Sequence, residues 1–154
     1  MITETLTRRQ VKEAIDTFFT ATLLQEPVAS EVTDKISAGV TIDLQLRDYV
    51  LGLADEYGVA NTMGVVKKMT QVLPENNKRA LLIVLSALSY EVEDKVNANL
   101  YLEQAFVEDM NYPMAKLLLQ VYQAGWPSEA MATMRHELHP RLVANLDDTP
   151  IGGN

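Results

Sequence analysis

The chain of 154 residues contains no cysteine, which excludes disulfides and thiolate metal ligands and is compatible with a reducing compartment. Its longest apolar run, Ala80 to Leu85 continued by Ala87 and Leu88, falls far short of the ~20 residues that cross a bilayer. The opening stretch MITETLTRRQVKEAID lacks the uninterrupted apolar segment of a secretory signal. A cytoplasmic protein with no membrane partner is therefore expected. Positive charge is scarce too. The 13 Lys and Arg against 21 Asp and Glu leave a net charge of −8, and the only basic groupings are Arg8-Arg9-Lys12, Lys67-Lys68 and Lys78-Arg79. Neutralising nucleic-acid phosphates takes clustered cations, so no nucleic-acid partner is expected.

What is present reads as one helical domain. Apolar content of 47% with 22% charged residues is ordinary for a folded chain of this size. Thr7 and Gln10 have the form of a capping box, followed by Val11, Ala14, Ile15, Phe18 and Phe19 on one helical stripe to about Leu24. Ser30 to Ala38 predicts a short helix ended by Gly39. The alternation of Val40, Ile42, Leu44 and Leu46 is a strand signal, but no second strand exists to pair with it. Leu46, Val50, Leu53 and Tyr57 predict instead an extended lead-in to Ile42 and a helix from Asp43 to Tyr57, with Gly58 as its stop.

Asn61 is placed to cap a helix that Pro74 stops, and Lys78 to Tyr90 is a helix apolar on every side, marking the centre of the fold. Asp94 caps a helix to about Asp109, with Ala98, Leu102, Ala105 and Phe106 inside and Asn97, Glu103, Gln104 and Glu108 outside. Pro113 begins a helix that Gly125 ends, and Pro127-Ser128 begins a last one limited by Pro140. The expectation is an all-α fold of seven to eight helices packed around a central apolar helix, a single domain over 1–146, and a disordered tail over 147–154.

The stretch from residue 82 to 105 has the form of a tetratricopeptide-like hairpin. Small Ser86, Ala98 and Ala105 fall where two helices would cross closely, and Leu82, Leu85 and Leu102 fill the spaces between. Only one such unit is visible, whereas a peptide-binding groove comes from tandem stacking. The positions that would face a ligand are Ala80, Ile83, Val84, Ala87, Tyr90 and Glu91, and four of the six are aliphatic. The hairpin thus reads as core.

Residues 79 to 127 also carry a family pattern in Arg79, Ala80, Leu82, Ala87, Tyr90, Asp94, Ala98, Leu102, Ala105, Asp109, Tyr112, Ala115, Leu118 and Gly125. With the weaker match of LRDYVLGLA upstream, residues 46–127 resemble the C-terminal part of an actinobacterial family known only as domain of unknown function 4192. This chain departs from the family at Glu93-Asp94-Lys95, in place of a Gly-Asp-Gly-like turn, and at Met110, in place of a proline. The resemblance implies a fold and a bacterial cytoplasmic setting, and no chemistry.

The residues offer no catalytic, cofactor-binding or metal-binding constellation. His136 and His139 in MRHELHP are three apart rather than the four of a zincin helix, and Arg135 and Arg141 flank them. They read as a solvated helix end. The pairs Asp55-Glu56, Glu93-Asp94, Glu108-Asp109 and Asp147-Asp148 are adjacent, so on a helix their carboxylates diverge by about 100°.

Two functional readings remain. One is a non-enzymatic interaction or adaptor module with a protein partner of basic character, for which Tyr112, Tyr122 and Trp126 are candidate contacts; self-association is compatible with it. The other is a small-ligand protein or enzyme with a pocket beside the central helix, touching Ser86, Ser89, Tyr90 and Glu91.

Overall fold

A computed structural model describes residues 5–153. Residues 1–4 of the expected domain and Asn154 of the expected tail lie outside the described residues. The helices are α1 (Arg8–Leu23), α2 (Ser30–Gly39), α3 (Leu44–Gly52), α4 (Ala54–Tyr57), α5 (Val59–Val72), α6 (Arg79–Glu91), α7 (Lys95–Glu108), α8 (Pro113–Gln123) and α9 (Ser128–Ala144). The predicted helix from Asp43 to Tyr57 is present as α3 and the one-turn α4, loosened at Leu53, whose backbone stays in the α region. Counted as one broken helix they give eight. The fold is all-α: the extended pairing among the described residues is a lone bridge between Thr7 and Pro150.

α6 is the axis of the molecule. Every residue from Ala80 to Tyr90 is buried, and its two sides belong to two apolar clusters. Leu81, Val84, Leu85 and Leu88 pack with α1, α2, α3 and α5 around Ile15, Phe19, Leu46 and Met69. Leu82, Ile83 and Ala87 pack with Leu102, Ala105, Ala115 and Leu118 of α7 and α8. Each fully buried leucine contributes roughly 1.5–3 kcal/mol relative to exposure, so removing α6 would dissolve both clusters together.

The cap at Thr7 forms as its residues predict: its hydroxyl accepts from the Gln10 N–H, and the Gln10 side chain accepts from the Thr7 N–H. Asp94 likewise accepts from the Asn97 N–H at 3.1 Å. Three local expectations are corrected. The segment before α3 is a turn over residues 40–42 with Asp43 extended as the N-cap, rather than an extended lead-in to Ile42. α5 begins at Val59, because Gly58 at φ +85° and ψ 154° adopts a conformation open only to glycine. Pro140 does not limit α9, which runs through it to Ala144. An internal proline forfeits a backbone hydrogen bond, and here tertiary contacts to α3 and α4, described below, hold the helix through that gap.

Residues 147–153, expected as a disordered tail, fold back on α1. The Arg8 and Arg9 N–H groups donate to the Thr149 and Asp147 carbonyls, and the Ile151 N–H donates to Leu6. Beneath them the buried carboxylate of Asp43 accepts from Arg8 Nε at 2.8 Å and from the Gly152 N–H at 3.0 Å. The physical reason is that two buried charged groups need every lone pair and N–H satisfied, and the last residues supply partners that a periodicity reading does not register.

Candidate functional site

The residues singled out beside the central helix fall into two groups. Ser86, fully buried, donates to the Ala98 carbonyl at 2.7 Å and shares a 2.9 Å hydrogen bond with the Tyr122 hydroxyl. Tyr90 stacks on Tyr122 with ring centroids 4.4 Å apart and donates its hydroxyl to the Trp126 carbonyl. These three side chains lock α6, α7, α8 and the turn after α8 together. Burial pushes the Tyr122 pKa up to about 12. Ser89 is fully buried and has no side-chain hydrogen bond among the described residues. Glu91 stands apart, accepting two hydrogen bonds from Arg135 of α9, at 2.9 and 3.0 Å.

The candidate contact residues are also dispersed. Tyr112 is buried, and its hydroxyl accepts from Arg47 Nη1 at 3.1 Å. Tyr122 belongs to the lock just described. Trp126 alone is substantially exposed, at 43%.

Trp126 stands at the rim of an apolar cleft of about 230 Å³ between α3, α6, α8 and α9. The buried side chains of Ile83, Val84 and Ala87 of α6 form its floor. Leu117, Leu118 and Val121 of α8 form one wall, and Met131, Met134 and Leu138 of α9 form the other. Charged residues enter only as pairs at its edges. Arg135 bridges to Glu91, and Arg47 donates to Asp48 at 3.0 Å. Of the four pocket candidates only Glu91 lines this cleft; Ser86, Ser89 and Tyr90 do not. Burial by itself would lower the pKa of both arginines, but their carboxylate partners outweigh it and hold both charged.

The wall formed by α9 is fastened by the MRHELHP stretch, which is a clasp rather than a solvated end. Arg135 reaches Asp55 at 2.7 Å as well as Glu91. His136 Nδ1 meets Asp55 at 2.7 Å, and His139 Nε2 meets Glu56 at 2.9 Å. A carboxylate can only accept, so Glu56 selects the tautomer with the proton on Nε2 of His139. His139 is buried, stacks on Tyr49 with centroids 5.9 Å apart, and turns its other nitrogen, without a partner among the described residues, towards Gly52. Burial opposes ionisation of Asp55, but hydrogen bonds from His136 and Arg135 hold its pKa below the usual carboxylate value.

The cleft could have been read more fully from the sequence. Met131, Met134, Leu138 and Leu142 recur at i, i+3, i+7 and i+11, one helical face. Pro140 interrupts that pattern, and taking it as a helix end hides the stripe.

With this geometry in place, comparison with known families is decisive for kinship. The chain matches the family described as Domain of unknown function (DUF4192) over residues 5–129. It belongs to that family. The match reaches well upstream of the resembling span 46–127 and includes α1 to α8. It ends at Glu129, so Met131, Met134 and Leu138, the α9 side of the cleft, follow the matched residues. No curated protein and no solved structure matches the chain.

Proposed function

We propose that this protein is an interaction module, without catalytic function of its own, whose cleft between α8 and α9 receives an amphipathic helix from a basic protein partner. The observation that carries this reading is the apolar rim. Leu117, Trp126, Met134 and Leu138 are all more than 40% exposed around the opening, and a small molecule held inside would leave them in water. A helix laid along the cleft covers the rim while its anchor side chains fill the interior. A volume of about 230 Å³ is half as large again as the ~150 Å³ engineered cavity that takes up benzene, so it suits one or two large side chains. Methionine walls adapt to such anchors.

The net charge of −8 favours a partner with Lys or Arg flanking the anchors, and association that weakens as salt rises. In this reading the tetratricopeptide-like α6–α7 hairpin is mainly core, with Ile83, Val84 and Ala87 of α6 also forming the floor of the binding cleft. The cysteine-free chain fits work in the bacterial cytoplasm. A small apolar ligand is the alternative reading, favoured by the closed apolar floor.

Trp126, the sole tryptophan, is a built-in reporter. A synthetic amphipathic helical peptide with Leu and Phe anchors and Lys flanks should shift its fluorescence saturably at low salt and less at moderate salt. Met134→Asp should abolish the shift. A response to decanoic acid and not to the peptide would establish the ligand reading in its place, and dimerisation through the cleft would establish a second copy as its occupant. Silence to both probes, with a monomer in solution, would remove the cleft as a site.

A further inference from the structure

α7 is apolar on two opposite faces. Ala98, Leu102 and Ala105 point into the core. On the far side Val96, Leu100 and Val107 are 71%, 47% and 88% exposed, and Glu103 lies exposed in line with them. The positions 96, 100, 103 and 107 are spaced by four, three and four, the alternation of a coiled-coil seam. They span twelve residues, about 17 Å of helix. A solvated helix face carries charge; this one carries three large aliphatic side chains and one carboxylate.

That carboxylate selects the occupant. Glu103 makes no ion pair or side-chain hydrogen bond among the described residues. The flanking Asn99 and Gln104 are uncharged, so it is the single charge on the seam itself; Lys67, Lys78 and Glu108 stand beside Gln104 and Val107 at one edge. A second copy fits badly. Antiparallel pairing with full overlap would set each Glu103 on the other copy's Leu100, with the two carboxylates about one turn, ~5 Å, apart. Parallel pairing would set the carboxylates face to face. Both bury like charge without compensation.

We propose that the outer face of α7 is a docking seam for an amphipathic helix of a different protein, with apolar residues opposite Val96, Leu100 and Val107 and a Lys or Arg opposite Glu103. The seam faces away from α6, while the cleft lies between α6 and α9. It is independent of the cleft reading, and the two together would let one small domain bridge two partners.

The test uses the full chain and three synthetic 21-residue helical peptides, with Leu at the seam positions and Lys, Glu or Leu at the central one, titrated by calorimetry. The Lys-centred peptide is expected to bind about tenfold or more tightly than the Glu-centred one, since like charge at a seam costs that much or more. The charge-reversing variant Glu103→Lys should invert the preference, Leu100→Asp should remove binding of all three, and Met134→Asp in the cleft should change nothing. All three substituted positions in this set are exposed, so each variant should keep the wild-type thermal midpoint, which checks folding. No binding by any peptide, equal affinity for Lys- and Glu-centred peptides, or a preference unmoved by Glu103→Lys would overturn the proposal. A wild-type dimer dispersed by Leu100→Asp would also overturn it, in favour of self-pairing.

Discussion

The seat of α9 rests on one missing methyl group, and replacing Gly52 tests it. A Cβ at position 52 would lie 2.2 Å from His139 Nδ1 and 2.9 Å from Cγ, where ordinary contact begins at 3.4 Å. The ring must therefore retreat by about 1.2 Å, and it stands between Tyr49 and Glu56 with α9 behind it. Forced overpacking costs ~1–3 kcal/mol. Losing the His139–Glu56 contact adds at most ~1 kcal/mol, because Glu56 is half exposed. Alanine is the better helix former by up to ~1 kcal/mol, less at the end of a helix, where Gly52 sits. Gly52→Ala should thus destabilise by about 2 kcal/mol, a fall in Tm of roughly 4–8 °C for a domain of this size.

The decisive measurement is the double-mutant cycle with His139→Ala, read by urea denaturation. With the ring gone the three closest contacts of the added methyl are removed, and Gly52→Ala should become neutral or stabilise by ~0.4–1 kcal/mol. The coupling should be about 2–3 kcal/mol, well beyond the ~0.5 kcal/mol within which independent sites add. An equal cost of Gly52→Ala in both backgrounds would refute the reasoning, since the methyl would then be meeting something other than His139.

Three further outcomes follow from the same contacts. The Glu108 carboxylate, mostly buried, accepts the Lys78 and Arg79 N–H groups at 2.9 and 2.5 Å and so caps the central helix from α7; Glu108→Ala should cost about 2–4 kcal/mol in urea denaturation, two charge-assisted bonds at the N-terminus of a helix with no cap of its own. Asp43→Ala leaves Arg8 buried without its carboxylate, which should cost about 3–5 kcal/mol and raise hydrogen exchange at Ile151 and Gly152. The folded-state pKa of Asp55 is depressed from 3.8, so its contribution is fully present above that pH and is lost as pH falls through the folded value. The stability difference between wild type and Asp55→Asn should accordingly shrink as pH falls below about pH 4, as followed by thermal denaturation.

How much of this was legible in the chain differs by element. Helix starts that rest on local chemistry, at Thr7, Asp94 and Pro113, appear where their residues predict, because the two side-chain caps close within three residues of themselves and the proline ring presets its own φ. The cap of α6 was invisible. Periodicity sets Glu108 on the outer face of its own helix, and its partners are 29 and 30 residues away. The cleft shows the same division. The Met131, Met134, Leu138 stripe was written in the spacing, but the decision between a solvated end and a docked wall lay in Asp55, Glu56 and Glu91, more than 40 residues distant.

The sequence by itself determined the all-α class, the apolar run that would be covered on every side, the small residues at the α6–α7 crossing, the net charge of −8 and the absence of cysteine. These follow from period, propensity and charge, which act over a turn or two of helix. Only the tertiary structure decided that α9 passes through Pro140, that residues 147–153 close over Arg8 and Asp43, and that the candidate residues separate into an internal lock and an open cleft. Each of those depends on a buried polar or charged group finding its partner across the chain. Burial makes an unmet partner costly wherever it lies in the sequence, and no local pattern records where it will be found.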